Sequence, residues 1–257
     1  MEQRFGSALK DWRRQRRMSQ LDLALAADVS ARHIAFLETG RSQPSRAMVI
    51  RLSDTLDVPR AQRNFLLEAA GYAPAYRRRD LDADDMAQVR AAVAWMLERH
   101  DPFPALALDR HWSIVQANRS ATALLAAVGL GPGDSLLAAM IGPEGLRTAL
   151  VNWPEVARHL FVRLRTESAH LGGDVVLDEV ANELAREGVV EAGDPSRSLP
   201  AVIPARYRIG ERVLSLFSTL TQFGTAEDIA LAELTIELMF PADLETKAFL
   251  LSAGSES

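Results

Sequence analysis

The chain has 257 residues, 48% of them apolar, and no cysteine. Disulfide frameworks, thiolate metal sites and cysteine nucleophiles are therefore excluded. The 29 Lys and Arg stand against 34 Asp and Glu, a formal net charge of −5, and no apolar run approaches the ~20 residues that a membrane helix needs.

That net charge hides a division. Residues 1–79 carry 15 bases against 8 acids, a net of +7, which leaves −12 for the rest. All but one of those bases are Arg, the planar donor suited to phosphate and to guanine edges. Charge asymmetry of this kind is a prior for nucleic acid at the basic end. The alternative is a chance clustering of solvated Arg. Met1-Glu2-Gln3-Arg4 has no apolar segment behind it, so no signal peptide is expected.

The first seventy residues read as five short helices. Ser7 is placed as the cap of a helix burying Leu9 and Trp12. Ser19 caps a second over Gln20 to Ala27. Asp28-Val29-Ser30 is a tight turn, with Asp28 suited to the left-handed conformation. Ser30 caps a third helix, Ala31 to Glu38, which buries Ile34 and Leu37 and stops at Gly40. Pro44-Ser45 opens a fourth, with Met48, Val49, Leu52 and Leu56 inward. Pro59 stands in the first turn of a fifth, which buries Phe65, Leu66 and Ala69.

Gly71-Tyr72-Ala73-Pro74 ends the pattern. Arg77-Arg78-Arg79 and the acidic run from Asp80 to Asp85 mark a linker. The expected organisation is a domain over 1–75, a linker over 76–85 and a second domain over 86–257.

Met86 to Arg99 has helical spacing, with Val89, Val93, Met96 and Leu97 on one face. Ala105 to Leu108 is a short strand, Asp109-Arg110-His111 turns, and Trp112 to Gln116 returns as a second strand. Asn118 caps the next helix. Leu146 to Asn152 and Pro154 to Glu167 read as two helices meeting at Asn152-Trp153. A further helix covers Val176 to Arg186. Three late strands follow: Ile203 to Ile209, Val213 to Phe223 and Leu231 to Phe240. The second is apolar on both faces and reads as central. The third alternates, with Ile236 and Leu238 inward and Glu233, Thr235 and Glu237 on a wet face. Asp243 to Leu251 closes the chain. Five antiparallel strands with helices between them make an α+β domain that follows an all-α one.

Ser19-Gln20-Leu21-Asp22-Leu23-Ala24, Val29-Ser30, Ile34, Leu37-Glu38, Gly40-Arg41 and Pro44-Ser45 resemble the lambda-repressor-like (XRE-type) helix-turn-helix family over about residues 5–72. Asp28 stands where that family usually has Gly. The resemblance implies double-stranded DNA as partner. Gln20 and Ser30 would head helices facing phosphates. Ala31, Arg32, His33 and Phe36 would face outward from the third helix, with Arg32 reading guanine. Ala31 and Phe36 either touch thymine methyls or fill space. Arg41 and Arg46 would neutralise phosphate, with Arg13 and Arg16 flanking them or lying on a solvated face. Glu38 is expected to bond the next loop. A homodimer is expected, because one short recognition helix reads few base pairs.

Trp112, Asn118, Asn152-Trp153, Arg163 and the closing strand pair resemble the ligand-binding domain of MmyB-like transcription regulators, a PAS-like domain that follows an XRE-type helix-turn-helix. The apolar inner faces then suggest a small hydrophobic ligand. Trp112, Trp153, Phe161 and Phe217 either line its site or build a filled core, and Arg163 or His159 would meet an acid head group. No cofactor motif, metal cluster, Walker loop or nucleophile elbow is present, so no enzyme is expected. The whole reads as a soluble, cytoplasmic regulator. The alternative is a ligand-independent DNA-binding protein whose acidic domain recruits a protein partner.

Overall fold

The structure, a computed structural model, describes residues 3–81, 83–188, 202–224 and 226–255. Met1 and Glu2 of the N-terminal motif and Asp82 of the linker lie outside them. Contacts divide the chain into two compact units. One is Met1–Arg78 with Thr166–Asp174 and Glu227–Ile229; the other is Arg79–Arg165 with Val175–Ala226 and Ala230–Ser257.

The first unit is all α. Its helices are α1 (Gln3–Gln15), α2 (Gln20–Ala26), α3 (Ala31–Glu38), α4 (Arg46–Thr55) and α5 (Arg60–Ala69). Helix α1 starts at Gln3, before Ser7, which lies inside it rather than at its N-cap. The three other Ser caps form. Ser19 Oγ accepts from the Asp22 amide at 3.1 Å, and Asp22 Oδ2 accepts from the Ser19 amide at 2.8 Å, closing a capping box. Ser30 Oγ accepts from His33 N at 3.1 Å and Ser45 Oγ from Met48 N at 3.2 Å.

Asp28 adopts φ +53° between α2 and α3. Its short polar side chain makes this left-handed turn cheaper than a bulky residue would. Leu9, Leu23, Ile34, Leu37, Leu52 and Leu66 are fully buried together. Phe65 is 48% exposed; Leu66 and Leu67 take the inward positions on α5. Pro59 is the residue before α5 rather than in its first turn.

Gly6 fixes how closely α1 meets the end of α3. A Cβ there would lie 2.6 Å from both the Leu37 and Glu38 carbonyl oxygens. Backbone cannot swing away as a side chain does, so Gly6→Ala is expected to destabilise this unit by about 2 kcal/mol. The measurement is the thermal or urea midpoint of the first unit. An unchanged midpoint would mean that α1 does not pack this tightly.

The second unit begins with a single 3-10 turn at Asp84–Met86 and α6 (Ala87–His100), then β1 (Ala105–Leu108) and β2 (Ile114–Ala117). Next come α7 (Arg119–Ala127), α8 (Leu136–Ile141), α9 (Leu146–Ala149), α10 (Trp153–Leu171, whose residues from Thr166 on count with the first unit) and α11 (Val175–Arg186). It ends with β3 (Ala205–Ile209), β4 (Arg212–Gln222), α12 (Ile229–Ala232), β5 (Thr235–Pro241) and α13 (Leu244–Ser255). The sheet is antiparallel, with strand order β2-β1-β5-β4-β3. Early and late strands thus join along the β1–β5 seam; β5 is the middle strand, and β4 is an inner strand paired with β5 and β3.

Helix α8 lies where the sequence assigns no element; Ser135 caps it at the Ala138 amide, and Leu136 and Leu137 are buried. Two readings change. Residues 229–232 turn as a helix before β5, which shortens that strand. Glu237 does not face water: it is 8% exposed.

Both faces of β5 are covered. Ala105, Ala107, Leu234 and Ile236 pack with Val93 and Leu97 of α6. On the other face, Glu237 stands in register between Leu106 of β1 and Leu220 of β4. Paired residues share a side of the sheet, so Glu237 lies on the cavity side of the sheet rather than on an open outer face.

Candidate functional site

In the first unit, the capped starts of α3 and α4 are surrounded by exposed cations. Arg32, Arg41 and Arg46 are exposed, and among the described residues none of them is in an ion pair. The Arg32 guanidinium lies 5.1 Å from the Phe36 ring centre, one turn along α3. Ala31, His33 and Phe36 are half-buried beside it. The Ser30 hydroxyl accepts the cap bond and keeps its own hydrogen for an acceptor outside.

Other bases on this unit serve inside the fold. Arg13 Nε donates to Glu38 Oε1 at 2.6 Å, its Nη2 to Glu38 Oε2 at 2.9 Å and its Nη1 to the Met18 carbonyl at 2.8 Å. Gln20 Nε2 donates to Glu38 Oε2 at 2.8 Å. Glu38 therefore ties α1 and α2 to α3, rather than bonding the next loop. Burial pushes its carboxyl up, but the bonds from Arg13 and Gln20 and the nearby positive charge outweigh that and hold it below the ordinary range. Arg16 donates to the Leu56 and Asp57 carbonyls at 2.8 and 2.7 Å, capping the end of α4.

The second unit holds a partly open cavity of about 450 Å³ between the sheet and helices α7 to α10. The sheet wall is one face of four strands. It carries Leu106 from β1, Ala205, Tyr207 and Ile209 from β3, Leu214, Leu216, Ser218 and Leu220 from β4, and Glu237 and Met239 from β5. The helical wall is mostly aliphatic and includes Leu125, Leu136, Met140, Val156 and Leu160.

Trp112, His159, Arg163 and Phe217 all line this cavity. Trp112 lies in the turn before β2 rather than on the strand, at φ +60° and 6% exposed. A bulky residue there is a strained outlier. Its carbonyl accepts from Leu136 N at 3.0 Å. The Arg163 guanidinium sits 3.8 Å from the Trp112 ring centre, a close cation–π stack. His159 is exposed at the rim. Trp153 and Phe161 do not line the cavity. Their rings lie 4.9 Å from Arg147 and 5.7 Å from Arg165.

Two polar wall residues escaped the sequence reading. Glu237 offers one signal, a lone carboxylate in an apolar strand. Tyr207 offers none. Burial, together with the Glu237 charge, pushes the Tyr207 hydroxyl well above the usual range, so it stays protonated.

Asn118 and Asn152 set the frame of the cavity. Asn118 Oδ1 accepts from Ala121 N at 2.9 Å and Ala105 N at 3.0 Å, while Nδ2 donates to the Leu97 and Phe103 carbonyls at 3.1 and 2.8 Å. Asn152 Oδ1 accepts from Arg206 N at 2.9 Å, and Nδ2 donates to the Pro204 carbonyl at 2.9 Å. The start of α10 is thereby pinned beside β3.

A capped helix pair with exposed Arg, joined in one chain to a sheet–helix domain around an apolar cavity, defines a helix-turn-helix regulator with a ligand-binding domain. Comparison with known families agrees. A helix-turn-helix family model matches residues 9–62, and the model of the MmyB-like transcription regulator ligand binding domain matches residues 89–252. The second match covers more than half of the sequence, and the chain belongs to that family. No curated protein matches it. Among the described residues, no helix is long and apolar enough to cross a membrane.

Proposed function

We propose that the chain is a one-component regulator in which occupancy of the cavity by a small hydrophobic molecule sets how a dimer reads its operator. Helix α3 enters the major groove, with Arg32 on a guanine edge and Ala31, His33 and Phe36 beside it. Gln20, Ser30, Arg41 and Arg46 meet phosphates and fix the register. The ligand binds the DNA-competent and DNA-incompetent states with different affinity, and so shifts their balance. Arg163 and His159 receive its acid head group, and Trp112 and Phe217 flank its apolar part. Catalysis has no role in this reading.

The observation that carries it is the cavity of about 450 Å³ with a mostly aliphatic lining. That size and character suit a drug-sized apolar molecule. Native mass spectrometry of the protein purified without denaturant tests this. The expected spectrum contains an adduct of a few hundred daltons that disappears on denaturation. A bare mass, combined with no binding of an apolar fluorescent probe, would favour the alternative of a ligand-independent protein whose acidic domain recruits a partner.

A further inference from the structure

The sheet wall of the cavity holds a carboxylate that the acid-head-group reading does not use. Glu237 is 8% exposed and lines the cavity from β5. Its cross-strand neighbours on that face, Leu106 and Leu220, are both aliphatic. Two residues along the same strand and face is Met239, opposite Ser218.

Among the described residues, no hydrogen bond or ion pair reaches the Glu237 carboxylate. The residue felt electrostatically is Tyr207, which also lines the cavity. Its hydroxyl likewise has no hydrogen bond among the described residues. A buried carboxylate without a cation is costly to hold in apolar surroundings. Such groups otherwise end on a donor, and a charged donor makes the stronger bond.

The geometry points to Glu237 as a recognition group for a protonated amine on an otherwise apolar ligand, with the Tyr207 hydroxyl as its neighbour on the sheet wall. The inference rests on the cavity being a ligand site. It adds a second pole to that site. Arg163 and His159 come from α10, on the helical wall, while Glu237 and Tyr207 come from the sheet. An anionic group and an ammonium group thus have separate places. An aliphatic amine is protonated at neutral pH, as the comparable lysine side chain is at about 10.4 and below. It would therefore bring a positive charge that Glu237 does not meet among the described residues. The Tyr207 hydroxyl, kept protonated, is a second polar group on the sheet wall of the same cavity.

The test uses full-length protein, freed of any co-purified molecule, and isothermal titration calorimetry. The probes are decylamine, decanol and sodium decanoate, each below its micelle concentration. Wild-type protein is expected to bind decylamine at least tenfold more tightly than decanol, the uncharged donor of equal length. Glu237→Gln keeps the shape and removes the charge. It is expected to cost decylamine tenfold or more in affinity while leaving decanoate unchanged or tighter. Decanol binding as tightly as decylamine to the wild-type protein would overturn the inference without needing the variant to fold. An unchanged ratio of decylamine to decanoate in a folded Glu237→Gln protein would overturn it too. If none of the three probes binds, the ligand-site reading itself fails. If they bind without regard to Glu237, the ligand-site reading stands and the amine assignment falls.

Discussion

Replacing Asn118 by alanine is expected to lower the stability of the second unit by roughly 3 kcal/mol. The side chain is 4% exposed and makes four bonds to backbone groups, from the end of α6 to the start of α7. Each bond is worth about 1 kcal/mol net, and the deletion leaves its backbone partners buried without them. The bond from Ala121 N is the N-cap of α7, so the loss of the cap is already counted among the four. Asn118→Asp keeps both accepted bonds but sets a carboxylate oxygen against the Leu97 and Phe103 carbonyls, so it is expected to cost at least as much as alanine. Urea unfolding followed by tryptophan fluorescence checks the order. Equal midpoints for wild type and Asn118→Ala would show that β1 and α7 are held by packing alone.

Glu38→Ala is expected to cost the first unit about 3–5 kcal/mol, because it strands the Arg13 guanidinium in a place built for a charge pair. The Arg13 and Glu38 side chains are 10% and 2% exposed, so solvent screens the pair little. Arg13→Ala with Glu38→Ala should cost less than the sum of the two single changes, since each removes the other's partner.

The pH dependence follows from the same contact. The Glu38 carboxyl titrates below its ordinary range in the folded chain. Its contribution is therefore present at neutral pH and lost as pH falls through that lowered value. Glu38→Gln is expected to flatten the acid side of the stability profile. A profile as steep as that of the wild type would place the acid sensitivity elsewhere.

Much of the first unit was legible because its signals are local. Ser19, Ser30 and Ser45 each precede an apolar period, and each caps a helix. Asp28 and Gly40 stop helices through backbone conformation alone. Ser7 misled because its cap signal sits inside a segment that continues helical on both sides. Phe65 misled because helical spacing alone does not choose between it and Leu67.

In the second unit, strand alternation located β5 but assigned its faces wrongly. Period-two patterns separate two faces; they do not say whether the polar face meets water or a cavity. Glu237 lies on the second kind, and only the register with Leu106 and Leu220 reveals it. The same limit applies to the aromatic residues. Trp112 and Phe217 line the cavity while Trp153 and Phe161 do not, and for the last two, both on α10, the outcome depends on how that helix is rotated. Arg13 and Arg16, read as even between DNA and a solvated face, both donate to internal acceptors. Charge counting cannot separate such bases from Arg32, Arg41 and Arg46.

Selection of bound sequences from random duplex DNA, run in parallel on wild-type protein and Arg32→Ala, tests the central claim most directly. The account predicts that wild type enriches two inverted half-sites spaced by about one helical turn, each containing a guanine. It predicts that Arg32→Ala loses about 1–3 kcal/mol of preference at that guanine while still binding DNA. No enriched sequence with wild-type protein, or the same guanine preference in Arg32→Ala, would contradict it.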